Sequence, residues 1–270
     1  MRTVLTIAGS DSGGGAGIQA DLKTFAALGV YGTSAITAVT AQNTMGVSAT
    51  SVLPSDVVTA QIEAVAGDFE IHATKTGMLA TAAIVEATAA AIEELELPMV
   101  VVDPVMLAKS GDRLLDQDGV RALLSELLPR ALVVTPNLPE AAVLSGRAIV
   151  TPSDARDAAR RIRAYGPSAV LIKGGHGEGA EVVDLLFDGV EFTELRTPRI
   201  RSRNTHGTGC TLASALAAYL ALGHPLADAA ARAQLYVAGA IAHGLALGKG
   251  HGPLDHFWNV RRGAAPPRTA

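Results

Sequence analysis

Thr3-Val-Leu-Thr-Ile-Ala8 is a short apolar run rich in β-branched residues. Gly9-Ser-Asp-Ser-Gly-Gly-Gly-Ala-Gly17 follows it, and Ile18-Gln-Ala-Asp-Leu-Lys-Thr-Phe-Ala-Ala27 leads on to Gly29. In order these read as a buried strand, a glycine loop and a helix from about Gly17 to Ala27. A strand without polar alternation belongs in a sheet covered on both faces, and strand-then-helix is the repeating unit of a parallel sheet. The unit recurs along the chain. Thr33–Val39 and Val47–Val52 read as strands, and Ser55 as the cap of a helix reaching about Ala66. Ala73–Thr76, Met99–Val102, Ala131–Val134 and Ala169–Lys173 read as further strands, with Thr81–Glu96, Val120–Leu128 and Ser153–Ala164 as helices. The period changes at Glu181–Phe187 and Glu191–Arg196, which flank an Asp188-Gly189 turn. Helices near Gly209–Leu222 and Leu226–Leu245 complete the pattern. The expectation is one α/β domain over residues 1–262, with a mostly parallel central sheet, a small antiparallel hairpin and a frayed tail at Gly263–Ala270.

Composition agrees. The 270 residues are 49% hydrophobic and 18% charged, and a chain of this length buries about three quarters of its unfolded surface. The net charge of −4, without runs of one sign, gives no reason to expect a nucleic-acid partner. The single cysteine, Cys210, excludes an internal disulfide and a multi-cysteine zinc site. The opening residues lack a secretory pattern and no window is apolar for about 18 residues, so the expectation is a cytoplasmic protein off the membrane.

In parallel sheets ligands collect beyond the carboxyl ends of the strands, and the polar pieces follow strands here. Gly9–Gly17 has more glycine than a turn requires, which favours a ligand loop. It is no dinucleotide fingerprint, because no acidic residue lies between Asp21 and Asp56, and no Gly-Lys-Ser/Thr occurs. Asn137-Leu-Pro-Glu140 reads first as a helix cap with its capping-box glutamate, and second as a carboxylate able to hold a Mg²⁺-bound water. Asn204-Thr-His-Gly-Thr-Gly-Cys-Thr211 is the most informative stretch. Glycines on either side of Thr208, just before a long apolar helix, make a bowl of backbone N–H groups suited to a phosphoryl group. Cys210 falls in the first turn, where a thiol pKa is lowered. A second chemistry competes: a cysteine nucleophile served by a histidine such as His206. Asp103-Pro-Val-Met106 and Lys109-Ser-Gly111 read either as a turn with a solvated lysine or as phosphate and Mg²⁺ handling. Lys173-Gly-Gly-His176 reads as a strand exit whose glycines let a nucleotide approach, and Gln42 as an amide able to pair with an aminopyrimidine edge.

Together AGSDSGGGAGIQADLKTF, TAVTAQNT (37–44), KTGML (75–79), DPVMLAKSGDRLL (from Asp103), TPNLPEA (135–141), LIKGGH, NTHGTGCTLASALAAYLALG and GHGPLDHFW resemble the hydroxymethylpyrimidine/phosphomethylpyrimidine kinases of thiamine biosynthesis. Those belong to the ribokinase-like superfamily. The resemblance implies a three-layer α/β/α fold, ATP with Mg²⁺, and two successive phosphorylations of an aminopyrimidine alcohol, usually by a homodimer. It implies that Gln42 pairs with the ring while Gly9, Asp21, Met78 and the backbone of Val105 line its pocket. It likewise implies an anion hole at Gly207, Thr208, Gly209 and Cys210, and a metal side at Asn137 and Glu140. Lys173, Gly174 and Gly175, with Asp103 and Lys109, would lie by the nucleotide. Cys210 stands where most sugar and nucleoside kinases of that superfamily carry an aspartate. Pyridoxal kinase is the alternative within the same superfamily.

Overall fold

The computed structural model describes residues 1–107, 114–175 and 179–261. Nine strands form one sheet in the order β3-β2-β1-β4-β5-β6-β7-β8-β9. The strands are β1 Thr3–Asp11, β2 Tyr31–Asn43, β3 Gly46–Val52, β4 Ala73–Thr76, β5 Val100–Val102, β6 Val133–Val134, β7 Ala169–Ile172, β8 Glu181–Phe187 and β9 Phe192–Pro198. Every pairing from β2 to β7 is parallel. Antiparallel strands close both edges, β3 on β2 at one end and β8 with β9 at the other. Antiparallel pairing is thus more extensive than one hairpin.

The central strands β5, β6, β7 and most of β1 are apolar because both faces are covered, whereas β4 carries Lys75 and the edge strands β3 and β9 are partly exposed. Leu5, Ile7, Val100, Val102, Val134, Val170 and Ile172 point to one side. They pack against α2 (Ser55–Ala66), α3 (Ala82–Glu94), α4 (Gln117–Ala122), α5 (Leu138–Ser145) and α6 (Pro152–Arg163). Their neighbours Val4, Val101, Val133, Ala169 and Leu171 meet α1 (Gly17–Ala27), α7 (Thr208–Ala221) and α8 (Leu226–Ala242) on the other. The alanines of α7 and α8 allow close helix approach, and ten of the fourteen residues of α7 are buried. A short α9 (Trp258–Arg261) ends the described chain.

Several boundaries differ from the sequence expectations. Gly9–Asp11 is strand, not loop, because Ser10 and Asp11 continue the ladder against Val39 and Thr40 after a bulge. Ser55 is the first helical residue rather than the cap, and Pro54 occupies the cap position. Asp116 accepts from Gly119 N–H and starts α4 earlier than Val120; a π turn (Leu123–Leu127) and a 3₁₀ turn through Pro129 then finish the segment. Leu226 starts a helix that stops at Ala242 instead of Leu245. Residues 263–270 lie outside those described.

Candidate active site

The chain changes winding direction at β1, whose neighbours are β2 and β4, so the crevice of this sheet opens beyond its carboxyl end. There α7 begins at Gly207, in the left-handed conformation with φ 84°. A Cβ at Gly207 would stand 1.8 Å from the Gly15 carbonyl oxygen, and one at Gly15 would stand 2.3 Å from His206 Cδ2. Only glycines let the 204–210 segment lie against the first loop. No side chain caps α7 and no acidic residue occupies its first turn. The N–H groups of Thr208, Gly209 and Cys210, on half-buried residues, therefore keep the positive end of the helix dipole available to an anion. The Thr208 hydroxyl donates to Thr205 O, and that of Thr211 to Gly207 O at 2.8 Å.

The first loop behaves differently from the expectation of a ligand loop. Its amides are already taken. Asp11 Oδ1 accepts from Gly13 N–H, and Oδ2 from Gly15 and Ala16 N–H at 3.0 and 2.8 Å and from His206 Nε2 at 2.8 Å. Burial opposes the Asp11 charge, yet these donors outweigh it and hold the carboxyl below its usual range. The glycines fold the chain around a carboxylate of the protein itself.

Two lysines lie at this end of the sheet, Lys173 slightly exposed and Lys75 fully buried. Lys173 Nζ lies 2.7 Å from Asp103 Oδ1 and 3.9 Å from Glu140 Oε2. A Cβ on Gly209 would be 3.4 Å from Lys173 Nζ and 3.8 Å from Asp103 Oδ2, so this pair sits over the first turn of α7. Burial opposes the Lys173 charge, but Asp103 and Glu140 prevail and raise its pKa. Glu140 completes a capping box with Asn137, as expected. Its carboxyl is shifted upward, chiefly by burial, against Lys173 and with Asp103. Lys75, quoted in KTGML but given no role of its own by the sequence, is the third residue of β4, is fully buried, and pairs with Asp21 Oδ2 at 2.9 Å. Nothing in Ala73-Thr-Lys-Thr76 marks its lysine as buried; what permits the burial is the counter-charge supplied from α1.

That counter-charge corrects the role read for Asp21. Its carboxylate is wholly buried and receives Thr6 Oγ1 at 2.6 Å, Lys75 Nζ at 2.9 Å and Ser214 Oγ at 2.6 Å, so it holds Lys75 rather than lining an open pocket. Cys210 also needs correction. Instead of the lowered pKa expected in a first helical turn, burial pushes the thiol up to about 11, against the attraction of Lys75 and with the repulsion of Asp21 and Asp103. Among the described residues no hydrogen bond joins Cys210 to a histidine, which removes the support for a cysteine–histidine nucleophile. Gly174 is a third correction. A Cβ there would fall 1.9 Å from Val183 O, and its N–H donates to Asp184, so strand packing accounts for this glycine.

Gln42 lies beyond a bulge in β2, with its amide between Thr40 and His206. Met78 Sδ would be 3.0 Å from a Cβ on Gly9, which brings those two candidates together. Val105 N–H donates to Asp103 O in a tight turn, leaving the half-buried residue's carbonyl as its polar offering. Gly175 has open space around its α-carbon. Lys109 and His176 lie outside the described residues. His256, unexplained in the sequence, is buried beside Thr211, with Nε2 3.1 Å from Oγ1. Because that hydroxyl donates to Gly207 O, His256 donates to it and braces the turn from behind.

The family model for phosphomethylpyrimidine kinase matches residues 11–255. A hydroxymethylpyrimidine/phosphomethylpyrimidine kinase from Rhizobium meliloti is 54% identical over 258 residues, covering 94% of this chain and 96% of its own. A thiamine biosynthesis bifunctional protein from Geobacter sulfurreducens is 53% identical over 94% of this chain; the chain spans only 52% of that longer protein. Among solved structures, a Staphylococcus aureus pyridoxal kinase in complex with AMP-PCP is 40% identical, with a TM-score of 0.90, covering 97% of this chain and 95% of its own. The fold is therefore ribokinase-like, and the chain belongs to the phosphomethylpyrimidine kinase family.

Proposed function

We propose that the protein transfers the γ-phosphoryl group of ATP to 4-amino-5-hydroxymethyl-2-methylpyrimidine, and then phosphorylates the resulting monophosphate to the diphosphate. One observation carries this reading: the uncapped first turn of α7, held against the first loop by Gly207, with Lys173 and Asp103 directly above it. A transferring phosphoryl group spreads its charge over three oxygens, and a ring of N–H groups with one lysine is matched to it. Such transfer needs placement and charge neutralisation more than covalent chemistry, so an aspartate base at the Cys210 position is dispensable. The acceptor oxygen bonds to phosphorus as ADP leaves, and its proton departs late. In the second transfer the nucleophile is an already ionised phosphate oxygen.

Gln42, Gly9, Met78 and the Val105 carbonyl form the ring subsite in this reading. Lys173 and Gly175 face the nucleotide, with Asp103 holding Lys173 in place. Mg²⁺ would neutralise phosphate charge. Among the described residues no group of three or more His, Cys, Asp or Glu gathers to bind a bare ion. That suits a hydrated Mg²⁺ carried by phosphates, with Glu140 and Asn137 contacting its waters. A homodimer in the cytoplasm is part of the same reading; among the described residues no helix is long and apolar enough to cross a membrane.

Coupled ADP release, measured with the aminopyrimidine alcohol, its monophosphate and pyridoxal side by side, tests the assignment. The two pyrimidines should give the higher kcat/KM. A preference for pyridoxal would move the protein to the second reading, which the likeness to the Staphylococcus aureus kinase keeps in view. Thermal stabilisation by ATP with Mg²⁺ is expected of either kinase and not of a thiol hydrolase.

A further inference from the structure

Asp11, His206, Gln42 and Thr40 form a chain in which the hydrogens can be counted. His206 Nε2 lies 2.8 Å from Asp11 Oδ2 and 3.4 Å from the Gln42 amide nitrogen. Thr40 Oγ1 lies 2.9 Å from the Ser10 carbonyl oxygen and 2.9 Å from the Gln42 amide oxygen. Facing a carboxylate, Nε2 must carry a proton and donate it, whether the ring is neutral or charged. A Gln42 NH₂ group beside it would then set donor against donor. Thr40 has one hydrogen, and two carbonyl-type oxygens cannot both receive it. Turning the amide by 180°, which changes its shape little, frees Thr40 and replaces the donor–donor contact at His206 by an oxygen that shares the Nε2 hydrogen with Asp11. Thr40 then donates to Ser10 O and accepts from Gln42 NH₂, while Gln42 Oε1 receives the longer, weaker branch of the Nε2 hydrogen that His206 shares with Asp11.

We propose that Asp11, through His206, and Ser10, through Thr40, lock the Gln42 amide in that one orientation, and that the lock makes the site select amino- over oxo-pyrimidines. This deepens the function proposed above and rests on it. The locked amide has one N–H and one lone pair left for a ligand, with the lone pair on the His206 side. The complementary edge is a ring-nitrogen acceptor beside an exocyclic amine, as in a 4-aminopyrimidine. A 4-oxo analogue in its lactam form presents the reverse order, N–H beside C=O. A free glutamine would turn over and accept it; here that turn breaks the bonds to His206 and Thr40 together. His206 and Thr40 are thus positioning residues that act through Gln42.

The test is kcat/KM for the 4-amino and 4-oxo hydroxymethylpyrimidines in wild type and in His206→Leu, His206→Gln, Thr40→Val and Gln42→Leu variants. Wild type should favour the amino compound by at least about a hundredfold, the scale of rejection when paired polar groups are mismatched. His206→Leu and Thr40→Val should shrink that ratio about tenfold or more, and His206→Gln, which keeps an N–H near Nε2, should restore it. His206→Leu should cost nothing further in a Gln42→Leu background. Thr40→Val leaves the packing of His206 on Gly15 intact, so it stands alone if His206→Leu fails to fold. An unchanged ratio in the lock variants, or losses from His206→Leu and Gln42→Leu that simply multiply, overturns the lock while leaving the kinase reading intact. A wild type that phosphorylates neither pyrimidine overturns both.

Discussion

Replacing Gly207 by alanine tests the geometry on which the site depends. Two costs add. The residue sits at φ 84°, where a side chain strains the backbone by about 1 kcal/mol or more. The new Cβ would also lie 1.8 Å from the Gly15 carbonyl oxygen, 2.9 Å from its carbon and 3.3 Å from Ala16 Cα. Those are backbone atoms, fixed in turn by the Asp11 carboxylate, so no side chain can rotate away. The turn and the first loop must separate by about 1.2 Å before the contact becomes tolerable, and a displacement of that order at reacting groups costs on the order of a hundredfold in rate. Combining strain and lost packing, we expect about 3 kcal/mol of destabilisation and a melting point lower by roughly 6–12 °C. Steady-state ADP release and a thermal melt read the two effects separately, and kcat/KM should fall a hundredfold or more in a protein still folded at 20 °C. Gly179→Ala, whose Cβ meets only ordinary contacts with Glu181, is the control and should change neither. A Gly207→Ala enzyme that retains a third of wild-type kcat/KM would refute the claim that this turn must sit where it does.

Three further outcomes follow from charge and burial. With the Cys210 thiol at about 11, only roughly one molecule in three thousand carries a thiolate at pH 7.5. Because a protonated thiol supplies no base and none is required, Cys210→Ala should change both phosphorylations less than about threefold at pH 7.5; a loss of tenfold or more confined to the first step, with its rise towards pH 9 flattened, would show that the thiolate takes the acceptor proton. Lys75→Met strands the buried Asp21 charge and should cost about 3–5 kcal/mol in urea unfolding, with Asp21→Asn in the same chain recovering much of it. Burial, aided by Lys23, lowers the pKa of His256 to about 4. The unfolded chain then binds a proton near pH 6.5 that the folded chain refuses, so stability is complete above pH 6.5 and falls by about 3 kcal/mol as pH drops to 4. His256→Gln should flatten that slope, and an unaltered pH profile would show that His256 is not the titrating group.

The alternation of strand and helix was readable because β5, β6, β7 and most of β1 are apolar runs and side-chain caps at Thr81, Asn137 and Thr151 punctuate three helices. The placement of polar pieces after strands was readable for the same reason. What resisted was anything decided by partners far away in the chain. Glycines at 9–17 look like a phosphate loop locally; that Asp11 consumes their amides depends on how the loop folds back on itself and on His206, 195 residues distant. A first-turn cysteine looks acidic locally, until Asp21, Asp103 and burial are placed around it. Lys75 and Asp21 explain one another only when β4 and α1 are adjacent, since nothing in either local sequence signals an ion pair. His256 likewise acquires a role only beside Thr211.

The arrangement of charge divides the work between the two lysines. Lys75 is wholly buried, and Asp21 compensates it while anchoring β1 through Thr6 and α7 through Ser214. Its charge is spent on joining the strands to the helix that bears the anion turn. Lys173 keeps 13% of its side chain exposed and shares two carboxylates, Asp103 and Glu140, with Glu140 already shifted towards its neutral form. Two carboxylates around one ammonium, with little water, make a cluster one positive charge short. A polyphosphate alone would worsen that deficit, whereas a hydrated divalent cation arriving with it would supply the missing charge and favour the ionised form of Glu140. Binding of nucleotide and metal should therefore be linked to proton release from Glu140. Titration calorimetry in buffers of different ionisation enthalpy measures that proton. We expect proton release on nucleotide binding that grows as the pH is lowered and vanishes in Glu140→Gln, and uptake or no transfer in the wild type would refute the coupling.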